Sequence, residues 1–154
     1  MTGLPDGQLV LLDTNIVMHL CRASEIGEWI DDELELRQRP ERPILSKIVV
    51  GECLAAAKKW KWGEPRQRLL SELLREFPTS DIGAQNILNA YAEIDFYCEK
   101  EMKPARPIGQ NDMWIAATAT AAQAVLVTTD KDFDHLHEKF FTRIYVDVKQ
   151  RTIS

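Results

Sequence analysis

The sequence predicts an α/β fold, a parallel sheet covered by helices on both faces, and three observations support this. Leu9-Val10-Leu11-Leu12 and Ala124-Val125-Leu126-Val127-Thr128 are short, continuous apolar runs bounded by polar residues, as fully buried strands are. Between them, apolar residues recur at helical spacing, as in Leu69, Leu70, Leu73 and Leu74. The two kinds of segment alternate along the chain, which is the pattern of a parallel sheet with crossover helices.

Residues 9–12 are the first strand, and Asn15 is a candidate cap for a helix running to Arg22. Ile26, Trp29, Ile30 and Leu34 place a second helix from Glu25 to Arg37. The basic, proline-containing stretch from Arg37 to Pro43 is a loop. Ile44-Leu45 is a short strand, and Ser46 caps a helix from Lys47 to Lys59. A further helix runs from Glu64 to Glu76, with Leu69, Leu70, Leu73 and Leu74 as its buried stripe. Phe77 to Ile82 is a short strand or connector. Ile87, Leu88, Tyr91, Ile94, Tyr97 and Cys98 mark a long amphipathic helix from Ile82 to Met102. After a loop with two prolines, from Lys103 to Gln110, an alanine-rich helix over Asp112–Gln123 can pack closely on a sheet. Ala124–Thr128 and Ile144–Val148 are the closing strands.

The chain has 154 residues, 45% of them hydrophobic and 28% charged, which fits one domain over residues 1–154 with a substantial core. No apolar run approaches the roughly 20 residues that span a bilayer. The first residues have neither a basic nor an apolar signal region, so a cytoplasmic location is expected. Cys21, Cys53 and Cys98 are odd in number and far apart, as buried free thiols would be. The three histidines lack zinc-site spacing. A net charge of −5 argues against a broad basic nucleic-acid surface, but not against local phosphate-binding patches beside a cluster of acids.

Four acids stand where such a cluster would form. Asp13 ends the first strand, and Asp130 follows the strand that ends at Thr128. Glu52 lies in the helix after Ser46, and Asp112 opens the alanine-rich helix. Residues that follow parallel strands converge on the carboxyl edge of the sheet. Hard oxygen ligands gathered there suit Mg²⁺ or Mn²⁺, which can activate water and clamp a phosphodiester. Without a cation, such acids repel one another and one of them is pushed toward the protonated form. Each also has a plainer reading: helix cap for Asp13, solvated helix residue for Glu52, helix-dipole partner for Asp112 and turn residue for Asp130. Lys58-Lys59-Trp60-Lys61-Trp62 interleaves cations with aromatics, which suits single-stranded RNA or, equally, a helix end with two core-anchoring tryptophans.

The residues around the acids carry a resemblance. Leu11-Leu12-Asp13-Thr14-Asn15, Ser46 to Glu52, Asn111-Asp112-Met113-Trp114-Ile115-Ala116-Ala117 and Val127 to Phe133 are similar, in order, to the motifs of the PIN domain, most of all to VapC-type toxins of toxin–antitoxin pairs. The resemblance implies a three-layer α/β/α sandwich and a Mg²⁺- or Mn²⁺-dependent endoribonuclease. Asp13, Glu52, Asp112 and Asp130 are then the metal site, with Asp132 able to assist or replace Asp130. Thr14 and Asn15 shape the site around Asp13, and Thr128 orients the loop that presents Asp130. Water attacks the phosphorus in line and leaves 5′-phosphate and 3′-hydroxyl ends.

Lys58, Lys59, Lys61 and Arg106, with Arg66 and Lys103, are candidates for the RNA path. The implied partners are an RNA substrate (tRNA ahead of rRNA), a VapB-type antitoxin and a second copy of the chain. Two other readings are a housekeeping PIN nuclease and a non-catalytic PIN module that binds RNA or protein. An aspartyl-phosphate phosphatase would need a second Asp where Asn15 stands, and a receiver domain would need an acidic pair at Asp13.

Overall fold

The computed structural model describes residues 4–154. The elements follow in the order β1 (Val10–Leu12), α1 (Thr14–Arg22), α2 (Glu25–Leu34), β2 (Leu45–Ser46), α3 (Lys47–Lys59), α4 (Glu64–Glu76), β3 (Thr79–Ser80), α5 (Gln85–Phe96), α6 (Gln110–Ala122), β4 (Val125–Thr128), β5 (Arg143–Asp147) and β6 (Thr152–Ile153). A π-helical turn, Tyr97–Glu101, prolongs α5, and a 3₁₀ helix, Lys131–Leu136, follows β4.

β1 pairs in parallel with β4, Leu12 opposite Val127, and β4 pairs in parallel with β5. A parallel bridge between Leu11 and Ile44 ties the β2–β3 pair to the other side of β1. The spatial order is therefore β3-β2-β1-β4-β5-β6, with only β6 antiparallel. The fold is an α/β sandwich around a mostly parallel sheet. In a sheet of this order the strand sequence reverses between β1 and β4, and the loops leaving those two strands diverge to opposite sides. A sheet of this order forms its crevice at their carboxyl ends. Asp13 and Asp130 follow those strands.

Local chemistry sets the element ends. Asp13, not Asn15, caps α1: its carboxylate accepts from the Thr14 N–H at 2.8 Å. Ser24 caps α2 through the Gly27 N–H. The second helix stops at Leu34, short of Arg37, because Glu35 turns left-handed (φ 50°) and the Leu36 N–H closes on Asp31 O. A continued helix would turn Leu36 about 200° away from the buried Leu34; the reversal instead buries Leu36 completely.

The long helix begins at Gln85 rather than Ile82, after Asp81 accepts the Gly83 N–H in a tight turn. α6 begins two residues before Asp112. Leu69 and Leu88, placed in buried stripes by spacing, are 53% and 39% exposed. Their neighbours Leu70 and Ile87 take the core positions, and each step along a helix turns the side chain by about 100°.

The core is one contiguous cluster that includes β1, β4 and the inner faces of the helices. All three cysteines are buried and free. α1 and α2 touch backbone to backbone at Gly27, where an added Cβ would lie 2.2 Å from the His19 carbonyl oxygen. Buried Arg39 donates to the carbonyls of Leu4, Pro5 and Gln8, so the 37–43 loop clasps the segment leading into β1. Among the described residues, no helix is long and apolar enough to cross a membrane.

Candidate metal centre

The carboxyl ends of β1 and β4 bring Asp13 beside Thr128. Asp13 is 6% exposed, and Thr128 is fully buried. The Thr128 hydroxyl donates to Asp13 Oδ2 at 2.6 Å, and its oxygen accepts the Asp130 N–H at 2.9 Å. One side chain thus holds the two acid-bearing strand ends together. Asp13 Oδ1 takes the Thr14 N–H. The Thr14 hydroxyl reaches across to α3 and donates to Glu52 Oε1 at 2.7 Å. Glu52 Oε2 accepts from the Asn111 amide at 3.3 Å, one residue before Asp112 in the first turn of α6. Asn15 does not bond Asp13; its amide donates to the Thr129 hydroxyl at 3.2 Å.

Asp112, Asp130 and Asp132 form the tightest group, each offering an oxygen within 4.8 Å of the others. Asp130 is steadied by accepting the Asp132 N–H at 2.8 Å. Asp13 and Glu52 lie outside this trio but act on it electrostatically. The Asp112 carboxyl is pushed up to about 7, first by burial and then by the charges of Asp13, Asp130, Glu52 and Asp132. Asp13 is also raised: burial outweighs the hydrogen bonds from Thr128 and Thr14, and Glu52 and Asp130 push the same way. An all-oxygen donor set in which Asp13 and Asp112 are raised fits a hard divalent cation, which would relieve that repulsion. Cys53, next in sequence to Glu52, is pushed up to about 12 by burial and then by the Glu52 charge, so it offers no thiolate.

The PIN domain family model matches residues 10–139, which takes in all of these acids. The chain belongs to the PIN-domain family. Two curated relatives, the ribonucleases VapC1 of Haemophilus influenzae strains R2866 and 86-028NP, are each 30% identical to it over 131 residues, covering 83% of this chain and 92% of the relative. The structure of VapBC-1 from nontypeable Haemophilus influenzae matches with a TM-score of 0.71 at 25% identity, over 88% of this chain and 96% of that one. VapBC2 from Rickettsia felis, solved with a DNA fragment from their promoter, shares the fold with a TM-score of 0.73 at 23% identity, over 88% and 97% of the two chains. The resemblance to PIN domains of VapC type read from the motifs is therefore confirmed.

Around the acidic centre of this PIN domain the cations are local. Lys58 and Lys59 close α3, and Lys61 follows with a left-handed backbone (φ 52°). Arg106 reaches the Lys131 carbonyl at 3.4 Å, between Asp130 and Asp132 in sequence, so it borders the acids. Arg66 lies over the Trp62 ring instead of facing the acids. Trp62 is buried, whereas Trp60 is 54% exposed, so only one of the two tryptophans anchors the core. Trp114 stacks on Tyr91, ring centroids 4.3 Å apart, against the core. Spacing alone gave Asn111 and Thr129 no role. The one signal for Asn111 was its place beside Asp112 at a helix start.

Proposed function

We propose that this chain is a divalent-metal-dependent endoribonuclease, the toxin of a VapBC-type toxin–antitoxin pair. It would be a single cytoplasmic domain over residues 1–154, cutting RNA, tRNA ahead of rRNA, to leave 5′-phosphate and 3′-hydroxyl ends. The observation that carries this reading is the set of acids from four separate segments meeting at the β1–β4 crevice of a PIN fold. The names of the VapC1 relatives support the ribonuclease assignment, and the VapBC complexes among the fold neighbours support a VapB-type antitoxin as partner.

Asp13, Glu52, Asp112 and Asp130 would hold Mg²⁺ or Mn²⁺, with Asp132 within reach of the same position. When bound, such an ion would supply a nucleophilic water at neutral pH and would offset charge on the phosphate oxygens. The chain's own residues do the positioning. Thr128 and Thr14 hold both oxygens of Asp13. Thr14 and Asn111 fix the two oxygens of Glu52. Without a cation, Asp112 retains its proton into the neutral range, so cation uptake displaces that proton. Burial of Asp13 keeps bulk water from competing for its oxygens. No side-chain nucleophile is needed.

The test is cleavage of total RNA by the purified protein with Mg²⁺ or Mn²⁺, beside EDTA and Asp13→Asn controls, with the fragment ends mapped. Discrete cuts bearing 5′-phosphates, lost in EDTA and in the variant, are expected. Binding without cleavage under any metal would overturn the nuclease reading in favour of a non-catalytic module. Co-purification with the product of an adjacent small reading frame tests the antitoxin, and light scattering tests for a homodimer.

A further inference from the structure

α1 and α3 lie side by side and parallel. Thr14 bonds Glu52 at one end, and the Arg22 guanidinium lies 5.1 Å over the Trp60 ring at the other; both pairs are 38 residues apart in sequence. A cavity of about 700 Å³ runs between the helices from the acidic centre to Trp60. Its floor on α3 is made of small residues, Gly51, Ala55 and Ala56, and Asn15 and Met18 form the facing wall on α1. A Cβ built on Gly51 meets nothing within 4 Å, so the floor is open.

Lys47 and Lys59 line the same groove near its two ends, and among the described residues neither forms an ion pair. Trp60 is 54% exposed and has two neighbours, the Arg22 guanidinium and the tilted Trp62 ring at 6.1 Å and 44°. An aromatic plane with such contacts already in place loses less freedom than a free one when a flat group stacks on it.

We infer that this groove is a track for single-stranded RNA, in which Trp60 stacks a base while Lys47 and Lys59 meet phosphates. The inference rests on the nuclease reading and adds to it the residues outside the acidic centre that would hold the strand, Trp60, Lys47 and Lys59. The charge decides the occupant. In a chain of net charge −5, a groove lined by two unpaired lysines against one acid, Glu52, carries a local excess of positive charge, and it leads to a centre suited to cutting phosphodiesters, which complements a polyanion. Eight residues separate Glu52 from Trp60, about 12 Å along a helix. That is a reach of about three phosphates at the ~3.4 Å spacing of a stacked strand.

The test measures binding, by fluorescence anisotropy in EDTA, of a fluorescein-labelled 12-nucleotide single-stranded RNA to the full-length protein and its Trp60→Leu and Trp60→Phe variants. The exposed position leaves the fold intact, checked by thermal melting. Trp60→Leu should weaken binding about 10- to 100-fold, the worth of one stacked base, and Trp60→Phe much less. An RNA abasic at the stacked position should bind wild type as weakly as the intact RNA binds Trp60→Leu, with no further loss on combining the two. Lys47→Ala with Lys59→Ala should flatten the log–log salt dependence by about 1.4.

Unchanged binding in Trp60→Leu overturns the inference. So does loss of a protein partner in that variant with RNA binding intact, which would give the groove to that partner. The nuclease reading fails separately, if wild type binds this RNA through Trp60 but cuts no RNA with any metal.

Discussion

Replacing Thr128 with valine tests the hinge of the acidic centre. The substitution keeps the branched shape of the side chain at a fully buried site, so the main change is loss of the hydroxyl, with a small shift of Asp13 away from the methyl that replaces it. That hydroxyl makes a 2.6 Å bond to the Asp13 carboxylate and accepts the Asp130 N–H at 2.9 Å. A hydrogen bond to a charged group is worth about 1.5–3 kcal/mol, and a neutral one about 1 kcal/mol. The Asp130 amide is partly exposed, and water replaces its partner at little cost. The expected loss is therefore about 2–3 kcal/mol, or roughly 4–12 °C in Tm for a chain of this size.

The same bond lowers the Asp13 pKa against the effect of burial, so its removal moves Asp13 further up and weakens cation uptake at a given pH. The assay is thermal and urea unfolding in EDTA of wild type, Thr128→Val, Thr128→Ser and each combined with Asp13→Asn. Thr128→Ser should recover most of the loss. In the Asp13→Asn background, the cost of Thr128→Val should fall by at least half, because a neutral acceptor replaces a charged one. A cost below about 0.5 kcal/mol, or one that is the same in both backgrounds, would refute the reasoning.

Metal-free protein should lose stability as pH rises from 5 to 8. The folded Asp112 pKa, about 7, lies above its ordinary value of 3.8, so the native state binds the extra proton and loses that advantage on titration. Allowing for solvent screening of a half-buried group, the loss is about 1–2 kcal/mol. Melts in EDTA should show a falling Tm that flattens in Asp112→Asn, and a Tm that is flat or rising in wild type would contradict the electrostatic account. Gly27→Ala places a Cβ 2.2 Å from the His19 carbonyl oxygen and should destabilise by about 2 kcal/mol after its gain in helix propensity, read by urea unfolding; a neutral result would mean that α1 and α2 separate freely. Arg39→Ala leaves three carbonyls without their donor and should speed hydrogen exchange at Gly7 and Gln8 by tenfold or more, with a smaller effect on global stability; unchanged exchange would show that the clasp is idle.

Much of this protein was legible in local sequence. The aliphatic runs at 9–12 and 124–128 need burial on both faces, and only a covered parallel sheet provides it. Ser46 marks the start of α3 because a hydroxyl caps the Ile48 N–H wherever that helix forms. Asp13 and Asp130 could be placed at the carboxyl edge because each directly follows such a run.

What tertiary structure decided was pairing across distance. Local pattern cannot tell that the Thr14 hydroxyl meets Glu52 while Asn15 turns to Thr129, since that depends on how α1 is seated against α3 and the end of β4. Nor could it tell that Asp132 joins Asp112 and Asp130 in the closest group, because the 3₁₀ turn after β4 folds it back. Helical periodicity resolves a stripe only to within one residue, so Leu69 and Leu88 fell outside the core and Trp60 outside it while Trp62 lies within. Periodicity and caps are properties of a few neighbouring residues and are written in the chain. Convergence of charges, exposure at the margin of a stripe and the groove between α1 and α3 arise only when distant segments share one packed core.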